Sequence, residues 1–196
     1  MKKSTDCNMK STILNTAIDL FRRDGMANVT IQQICGACHV TKGCFYHYYP
    51  SKESVLLDFY SSAHLDFGRA TASIIQYNTF SDKLWNLYRY YVEESIHMGP
   101  ELLCQLIRTD MEAGSLHFTC DYRVLSEETE SFCRIAEELT HLGQEAGEFC
   151  RELPPRELRM MYTAAFIGVL TDWSGGGGRF DPVKRLEKIF LRLYRM

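Results

Sequence analysis

The sequence predicts an all-α fold, and three observations carry the prediction. Apolar residues recur with the 3.6-residue period of an amphipathic helix along most of the 196 residues. No stretch alternates apolar and polar residues as a half-buried strand does. Glycine and proline separate the periodic segments. The predicted helices cover residues 9–24, 31–38, 42–48, 52–75, 80–98, 101–113, 121–146 and 154–173, and a last helix begins at residue 182.

The short helices near the amino terminus each have a start or stop signal. Gly25 ends the first helix, because glycine readily takes the conformation that closes a helix. Thr30 and Thr41 are predicted N-caps, since their hydroxyls can accept a hydrogen bond from a first-turn N–H. Pro50 ends the third helix, and Ser51 begins the long fourth one.

The later helices are longer and more amphipathic. The helix over 154–173 is apolar nearly all round, which favours burial on more than one side. Asp181 followed by Pro182 is a typical helix start, an N-cap with proline at the first helical position. There is no internal repeat and no linker long enough to separate independent modules.

Charge and apolar runs limit the class of protein. Residues 1–50 carry a net charge of +3 and the remainder −6, which fits an anionic partner bound at one end. Residues 4–16 lack the apolar segment of a signal peptide, and the most apolar run, 160–170, is shorter than the roughly 18 residues of a membrane span. We therefore expect a cytoplasmic protein with no membrane association. The eight cysteines are then expected as thiols rather than as a disulfide framework.

The stretch 35–39, CGACH, matches the C-x-x-C-H pattern of covalent haem attachment. A zinc site that includes Cys44 is a second possibility, because two thiolates three residues apart can share a metal. However, Cys35 and Cys38 fall on the inner face of the second helix, where cysteine packs as a small hydrophobe. We favour packing and expect no cofactor. A metal- or haem-binding helical protein built on Cys35, Cys38 and His39 is the alternative.

Residues 30–53, TIQQICGACHVTKGCFYHYYPSKE, resemble the DNA-binding signature of the tetracycline-repressor (TetR) family. That signature runs roughly T-x-x-x-I-A-x-x-A-G-V-S-x-G-T-x-Y-x-H-F-x-S-K-E. The matching positions are Thr30, Ile34, Val40, Gly43, Tyr46, Ser51, Lys52 and Glu53. The departures are Cys35 and Cys38 for Ala, His39 for Gly, Thr41 for Ser, Cys44 for Thr and Tyr49 for Phe.

The resemblance implies a helix-turn-helix whose third helix enters the major groove of DNA. Lys42 is expected to bind a phosphate, Gly43 to let the backbone approach DNA, and Gln32 to reach a base. Phe45 and Tyr49 are expected in the core. The expected DNA-contacting residues are Thr30, Gln32, Thr41, Lys42, Gly43, Cys44, Tyr46, His47, Tyr48 and Lys52.

The resemblance also implies a homodimer joined by the last two long helices and a pocket for a small apolar or aromatic inducer. The expected dimer contacts are Leu158, Tyr162, Ala165, Val169, Trp173, Leu186 and Phe190. The expected ligand contacts are Trp85, Tyr88, Phe118, Phe132, Tyr162 and Phe166, with His97, Gln105, Arg108 and His117 as candidate polar groups. Ordinary core packing is the alternative for both sets.

Residues 1–52 are thus expected to form the DNA-binding domain and residues 53–196 a helical ligand-binding and dimerisation domain. The expected function is that of a sequence-specific transcriptional regulator, a repressor that a ligand releases from an inverted-repeat operator in double-stranded DNA. No spacing of His, Asp, Ser or carboxylates suggests catalysis, so no enzyme activity is expected. A helical adaptor that binds no DNA is a further alternative.

Overall fold

The computed structural model describes residues 2–64, 67–113 and 127–195, and these residues form helices and turns without a strand. The predicted all-α fold is confirmed. None of the helices in these ranges is long and apolar enough to cross a membrane. The helices are α1 (Lys2–Asp24), α2 (Ile31–Cys38), α3 (Lys42–Tyr48), α4 (Lys52–His64), α5 (Phe67–Ile74), α6 (Phe80–His97), α7 (Pro100–Ala113), α8 (Glu127–Glu145), α9 (Pro155–Gly175) and α10 (Pro182–Tyr194).

Among the described residues, the start of α1 is the helix boundary that differs most from the sequence-based ones. The helix α1 begins at Lys2 rather than at residue 9, because residues 2–8 contain neither glycine nor proline to stop it. The predicted long fourth helix corresponds to α4 and α5, and residues 65 and 66 between them lie outside the described residues. The predicted first turns of the helix over 121–146 also lie outside the described residues, as does Phe118.

Local signals explain most helix ends. Thr79 Oγ1 accepts the backbone N–H of Asp82 at 3.0 Å and so caps α6. Asp181 Oδ1 accepts the backbone N–H of Lys184 at 3.1 Å and caps α10, as its sequence predicts. Gly25 ends α1 with a left-handed φ of 77°.

A first core joins the amino-terminal helices to α7 and α9. Ile13 of α1, Ile34 of α2 and Phe45 of α3 are fully buried in it. Leu106 of α7 and Leu170 of α9 are buried in the same core. Shared apolar burial therefore holds the first three helices against the carboxy-terminal part of the chain.

A second core lies between α5, α6, α8, α9 and α10. Leu84 and Tyr88 of α6 pack there with Ala136 of α8, Tyr162 of α9 and Phe190 of α10. Because α9 supplies Leu170 to the first core and Tyr162 to the second, this one helix takes part in both. Its sequence, apolar nearly all round, predicts this double burial.

Most of the predicted dimer contacts are buried within their own protomer. A side chain that its own chain already covers has no surface left for a second copy. Of the predicted contacts, Ala165 alone is half-buried. The apolar stripe was identified correctly, but it packs within the protomer. The other predicted contacts, each at most 8% exposed, are Leu158, Tyr162, Val169, Trp173, Leu186 and Phe190.

The contact between Gly143 of α8 and the ring of Phe149 gives a stability prediction. A Cβ at Gly143 would overlap Phe149, which is buried in the second core. Gly143→Ala should therefore lower the free energy of unfolding by about 1–3 kcal/mol, the usual cost of overpacking.

The control is Gly36→Ala in α2, where an added Cβ meets nothing within 4 Å. This change should raise stability by up to about 1 kcal/mol, because alanine favours helix. Urea denaturation measures both, and shifts of the same sign would contradict the packing described.

Candidate nucleic-acid interface and tyrosine cluster

The helix α2 begins with a reciprocal cap. Thr30 Oγ1 accepts the backbone N–H of Gln33 at 3.3 Å. In return, the side-chain oxygen of Gln33 accepts the backbone N–H of Thr30 at 2.8 Å. Two N–H groups that the first turn would leave unpaired are satisfied in this way. The predicted N-cap at Thr30 is therefore confirmed, and the start of α2 is fixed locally.

A tight turn then directs α3 across α2. His39 has a left-handed φ of 55°, a region in which His is more common than most residues. The backbone N–H of Val40 donates to the carbonyl of Cys35 at 3.0 Å, which closes α2. Thr41 Oγ1 accepts the backbone N–H of Cys44 at 3.2 Å and caps α3. The predicted turn is confirmed, and the two helices form a helix-turn-helix.

The helix α3 has a buried face and an exposed face. Phe45 is fully buried, and Tyr49, which follows the helix, is 2% exposed. On the opposite face Lys42 and His47 are exposed, and Tyr46 is 52% exposed. A large aromatic side chain so exposed on a seven-residue helix suggests a surface that a partner covers.

Most of the predicted DNA-contacting residues lie on the surface of this helix-turn-helix. Residues 25–52 contain no Asp or Glu, so an anionic partner meets no repelling side chain from this segment. Cys44 and Tyr48 are half-buried. The exposed members of the predicted set are Thr30, Gln32, Thr41, Lys42, Gly43, Tyr46 and His47.

Lys52 makes hydrogen bonds within the chain. Its Nζ donates to the carbonyl of Met26 at 2.7 Å and to that of Val29 at 3.1 Å. These carbonyls belong to the loop between α1 and α2, and an ammonium group is a good partner for such groups near a helix end. Lys52 therefore fixes this loop against the start of α4, and its phosphate contact stays a prediction.

A second polar link fixes the end of α3. Tyr49 donates its O–H to Asp58 Oδ2 at 2.7 Å, and Lys10 Nζ lies 3.0 Å from the same oxygen. Burial, and then the hydrogen bond to Asp58, raise the pKa of the Tyr49 phenol above its usual range. The residue after the recognition helix is thus tied to both α1 and α4. The resemblance places Phe at this position, which has no hydroxyl for such a link.

The cysteines of the CGACH stretch pack inward, as predicted. Cys35 is 5% exposed in the first core, and burial raises the pKa of its thiol. The sulfur of Cys38 lies 4.0 Å from the carbonyl of Thr12 in α1. Within the part of the chain that the structure describes, no group of three or more His, Cys, Asp or Glu side chains is arranged to hold a metal ion.

Several predicted ligand contacts meet in the second core. The rings of Tyr88 and Tyr162 stack with their centroids 4.0 Å apart, and Phe132 lies edge-on to Tyr88 at 5.9 Å. Tyr88 and Tyr194 share a hydrogen bond of 2.9 Å between their hydroxyls. Burial raises the pKa of Tyr194 to about 12, so this pair is neutral at physiological pH. We call Tyr88, Tyr162 and Tyr194 the tyrosine cluster.

The remaining ligand candidates are more dispersed. Trp85 is half-buried against Phe190, and Phe166 touches both cores. Arg108 and His97 are exposed, whereas Gln105 is half-buried. Phe118 and His117 lie outside the described residues.

Arg159 was missed by the sequence analysis. It is 1% exposed on α9, and its Nε donates to Glu137 Oε1 of α8 at 2.7 Å. Its charge also acts on the hydroxyls of Tyr88 and Tyr194. Its neighbours Arg156 and Glu157 are also charged but exposed, so the sequence alone does not single out Arg159 as the charge that is buried against Glu137.

Comparison with known proteins agrees with this geometry. The family model "Bacterial regulatory proteins, tetR family" matches residues 13–59, which include the whole helix-turn-helix. The chain is 34% identical over 77 residues to an uncharacterized HTH-type transcriptional regulator, YuxN, of Bacillus subtilis. That alignment covers 39% of this chain but only 25% of the relative's own length.

Solved structures match over nearly the whole chain. Thermus thermophilus FadR, a TetR-family transcriptional repressor in complex with lauroyl-CoA, matches with a TM-score of 0.66 and 23% identity over 94% of this chain and 92% of that one. RolR in complex with resorcinol matches with a TM-score of 0.62 and 18% identity over 97% of this chain and 89% of that one. At these identities the similarity is one of fold.

Removing the charge of Lys42 tests the exposed face of α3. Lys42→Ala should weaken binding to all DNA sequences and reduce the slope of log affinity against log salt by about 0.9, the value for one phosphate contact. The measurement is a salt titration with operator DNA and with an unrelated duplex. Arg134→Ala, which removes an equal charge from the exposed side of α8, is the control and should leave the slope unchanged. An unchanged slope in Lys42→Ala would exclude the contact.

Two tyrosines separate structural support from DNA contact. Tyr49→Phe removes the hydrogen bond to Asp58 and should lower the free energy of unfolding by about 0.5–1.5 kcal/mol. Tyr46→Phe removes an exposed hydroxyl and should leave stability unchanged while it weakens DNA binding severalfold. Denaturation and DNA titration of both variants check this. The assignment fails if Tyr46→Phe unfolds more easily than Tyr49→Phe.

Proposed function

The chain belongs to the tetR family of bacterial regulatory proteins, and on that premise we propose that it is a ligand-released transcriptional repressor. It binds an inverted-repeat operator as a homodimer, with residues 1–52 as the DNA-binding domain and residues 53–196 as the ligand-binding and dimerisation domain. The observation that carries the proposal is the capped helix-turn-helix with Lys42, Tyr46 and His47 exposed on one face of α3.

Recognition of DNA follows from this face. The amino-terminal residues of α3 reach base edges and phosphates when the helix enters the major groove. Gly43 supports the assignment, because an added Cβ would make only an ordinary contact of 3.8 Å with Thr41 Oγ1. Nothing within the protein therefore requires glycine there, whereas close approach of a partner to the backbone would.

Pairing follows from the limited reach of one such helix, which reads only a few base pairs. Because many residues of α9 and α10 are buried within the protomer, we assign the dimer interface to the outer faces of these two helices. On α9, Ala164 and Gly168 are exposed small residues that allow close helix approach, and Met161 is 48% exposed beside them. On α10, Leu191 is 38% exposed. These residues form an apolar surface that a second copy would cover.

Release by a ligand follows from the double burial of α9. The ligand site that we propose is the tyrosine cluster with its aromatic surroundings. A molecule that favours another packing of Tyr162 acts on the helix that also supplies Leu170 and Trp173 to the first core. Binding shifts the equilibrium only if the ligand prefers one arrangement. FadR and RolR, complexes with an acyl-CoA and a small phenol, share this fold.

Selection of bound duplexes from a random pool tests the proposal. The enriched sequences should contain two half-sites in inverted orientation, because a two-fold symmetric dimer reads a two-fold symmetric site. Ala164→Glu, which places a charge on the outer face of α9, should give a monomer and weaken binding by at least about 100-fold.

The matched control is Ala72→Glu, the same substitution at an exposed alanine of α5. It should stay dimeric and bind normally, as measured by sedimentation and DNA titration. No enrichment of any sequence would refute the regulator, whereas enriched sites without a dyad would refute the symmetric dimer.

A further inference from the structure

The hydroxyl of Tyr162 is buried without a hydrogen-bond partner among the described residues, and the side chain as a whole is 1% exposed. A buried O–H that has left water and gained no acceptor is destabilising. Phenylalanine would fill the same space without that cost. The tyrosine at this position therefore points to an acceptor supplied from outside the chain.

The other hydroxyls of the tyrosine cluster are already paired. Tyr88 and Tyr194 bond to each other at 2.9 Å, and Tyr194 also bonds to Thr140. Thr140 Oγ1 in turn donates to the carbonyl of Ala136 at 2.7 Å. This series of hydrogen bonds ends on a backbone carbonyl, so its hydroxyls are paired without the hydroxyl of Tyr162.

A buried ion pair lies near Tyr162. Arg159, one turn earlier on α9, contributes a buried guanidinium. The carboxylate of Glu137 accepts from it, and the Glu137 side chain is 24% exposed. Because Glu137 balances the charge of Arg159, a neutral ligand needs no counter-charge there.

The walls around Tyr162 are aromatic. Its ring stacks on Tyr88, and Phe190 lies edge-on at a centroid distance of 6.1 Å. Phe132, half-buried on α8, lies edge-on to Tyr88. Such walls suit a flat apolar body, since aromatic rings prefer stacked or edge-on neighbours.

We propose that the tyrosine cluster binds an aromatic ligand through a carbonyl-type oxygen, which accepts the O–H of Tyr162 beside Arg159. The inference rests on the proposed ligand-released repressor and names the ligand class of its site. An acceptor oxygen is required because the buried O–H of Tyr162 is a donor without an acceptor among the described residues. Ketones and carboxylates share this oxygen. Arg159 favours the ketone. Its positive charge is already balanced by Glu137, so a carboxylate ligand would add a negative charge with no cation left to pair with it.

Three naphthalene probes of similar shape separate these chemistries. They are 2-acetylnaphthalene, 2-naphthoate and 2-ethylnaphthalene, which carry a neutral carbonyl, a carboxylate and no acceptor. Calorimetry without DNA should show that the acetyl compound binds at least about tenfold more tightly than the ethyl compound, since an unmatched buried donor penalises a ligand that lacks the acceptor. A preference for naphthoate over both would contradict the charge balance between Arg159 and Glu137 and would overturn the inference of a neutral ligand. Equal affinities, or no binding by any probe, would overturn the inference.

Tyr162→Phe is the decisive variant. The ratio of acetyl to ethyl affinity should fall to about one, while the melting temperature stays equal or rises because an unpaired hydroxyl is lost. The control Tyr49→Phe removes a hydroxyl that is already paired, with Asp58, and that lies outside the tyrosine cluster. It should lower the melting temperature and keep the ratio. A ratio unchanged in Tyr162→Phe would overturn the inference.

A separate operator titration distinguishes failure of the proposed function from failure of this inference. If the acetyl probe binds selectively but leaves operator affinity unchanged, the inferred ligand site is supported and the proposed release of DNA by a ligand is refuted. By linkage, a probe that lowers operator affinity must be weakened by operator DNA to the same degree.

Discussion

The burial of α9 on two sides is the constraint on which the rest of the structure depends. Tyr162 packs in the second core, and Leu170 and Trp173 pack in the first core, with the three amino-terminal helices. Closely packed interiors transmit a displacement rather than absorb it. A second link lies at Gly25, where a Cβ would come within 2.8 Å of Glu101 in α7. The helix that carries Tyr162 of the tyrosine cluster therefore also supplies contacts to the core that holds the helix-turn-helix.

The elements that the sequence predicts well are those whose causes are local. Thr30, His39 and Thr41 act through hydrogen bonds and dihedral angles within a few residues, so the pattern TIQQICGACHVTKG already contains their causes. The apolar period also identifies which face of each helix is covered. It does not say what covers that face, and this is why Leu186 and Phe190 were assigned to a dimer interface although they pack within the protomer.

The polar contacts of the site depend on residues distant in sequence, and the sequence predicts them poorly. Lys52 bonds to carbonyls more than twenty residues earlier, and Arg159 pairs with Glu137 on another helix. Charged side chains are expected in solvent unless a partner is known, and helical periodicity identifies no such partner. The exposed face of α3, in contrast, followed from its period once Phe45 was placed in the core. The exposed residues of α3 were predictable from the sequence. The long-range polar contacts within the chain could be identified only from the three-dimensional structure.

Two features that cost stability coincide with the two proposed binding sites. Gly43 lies within α3, where glycine is less favourable than alanine by about 1 kcal/mol and where a Cβ would meet no close neighbour. The Tyr162 hydroxyl is buried without an acceptor, although Phe would pack in the same space. Neither feature is explained by the fold, because the fold would be more stable without it. Both fit the partners proposed above, DNA at α3 and an acceptor-bearing ligand at the tyrosine cluster, since functional sites are where local rules for stability are broken.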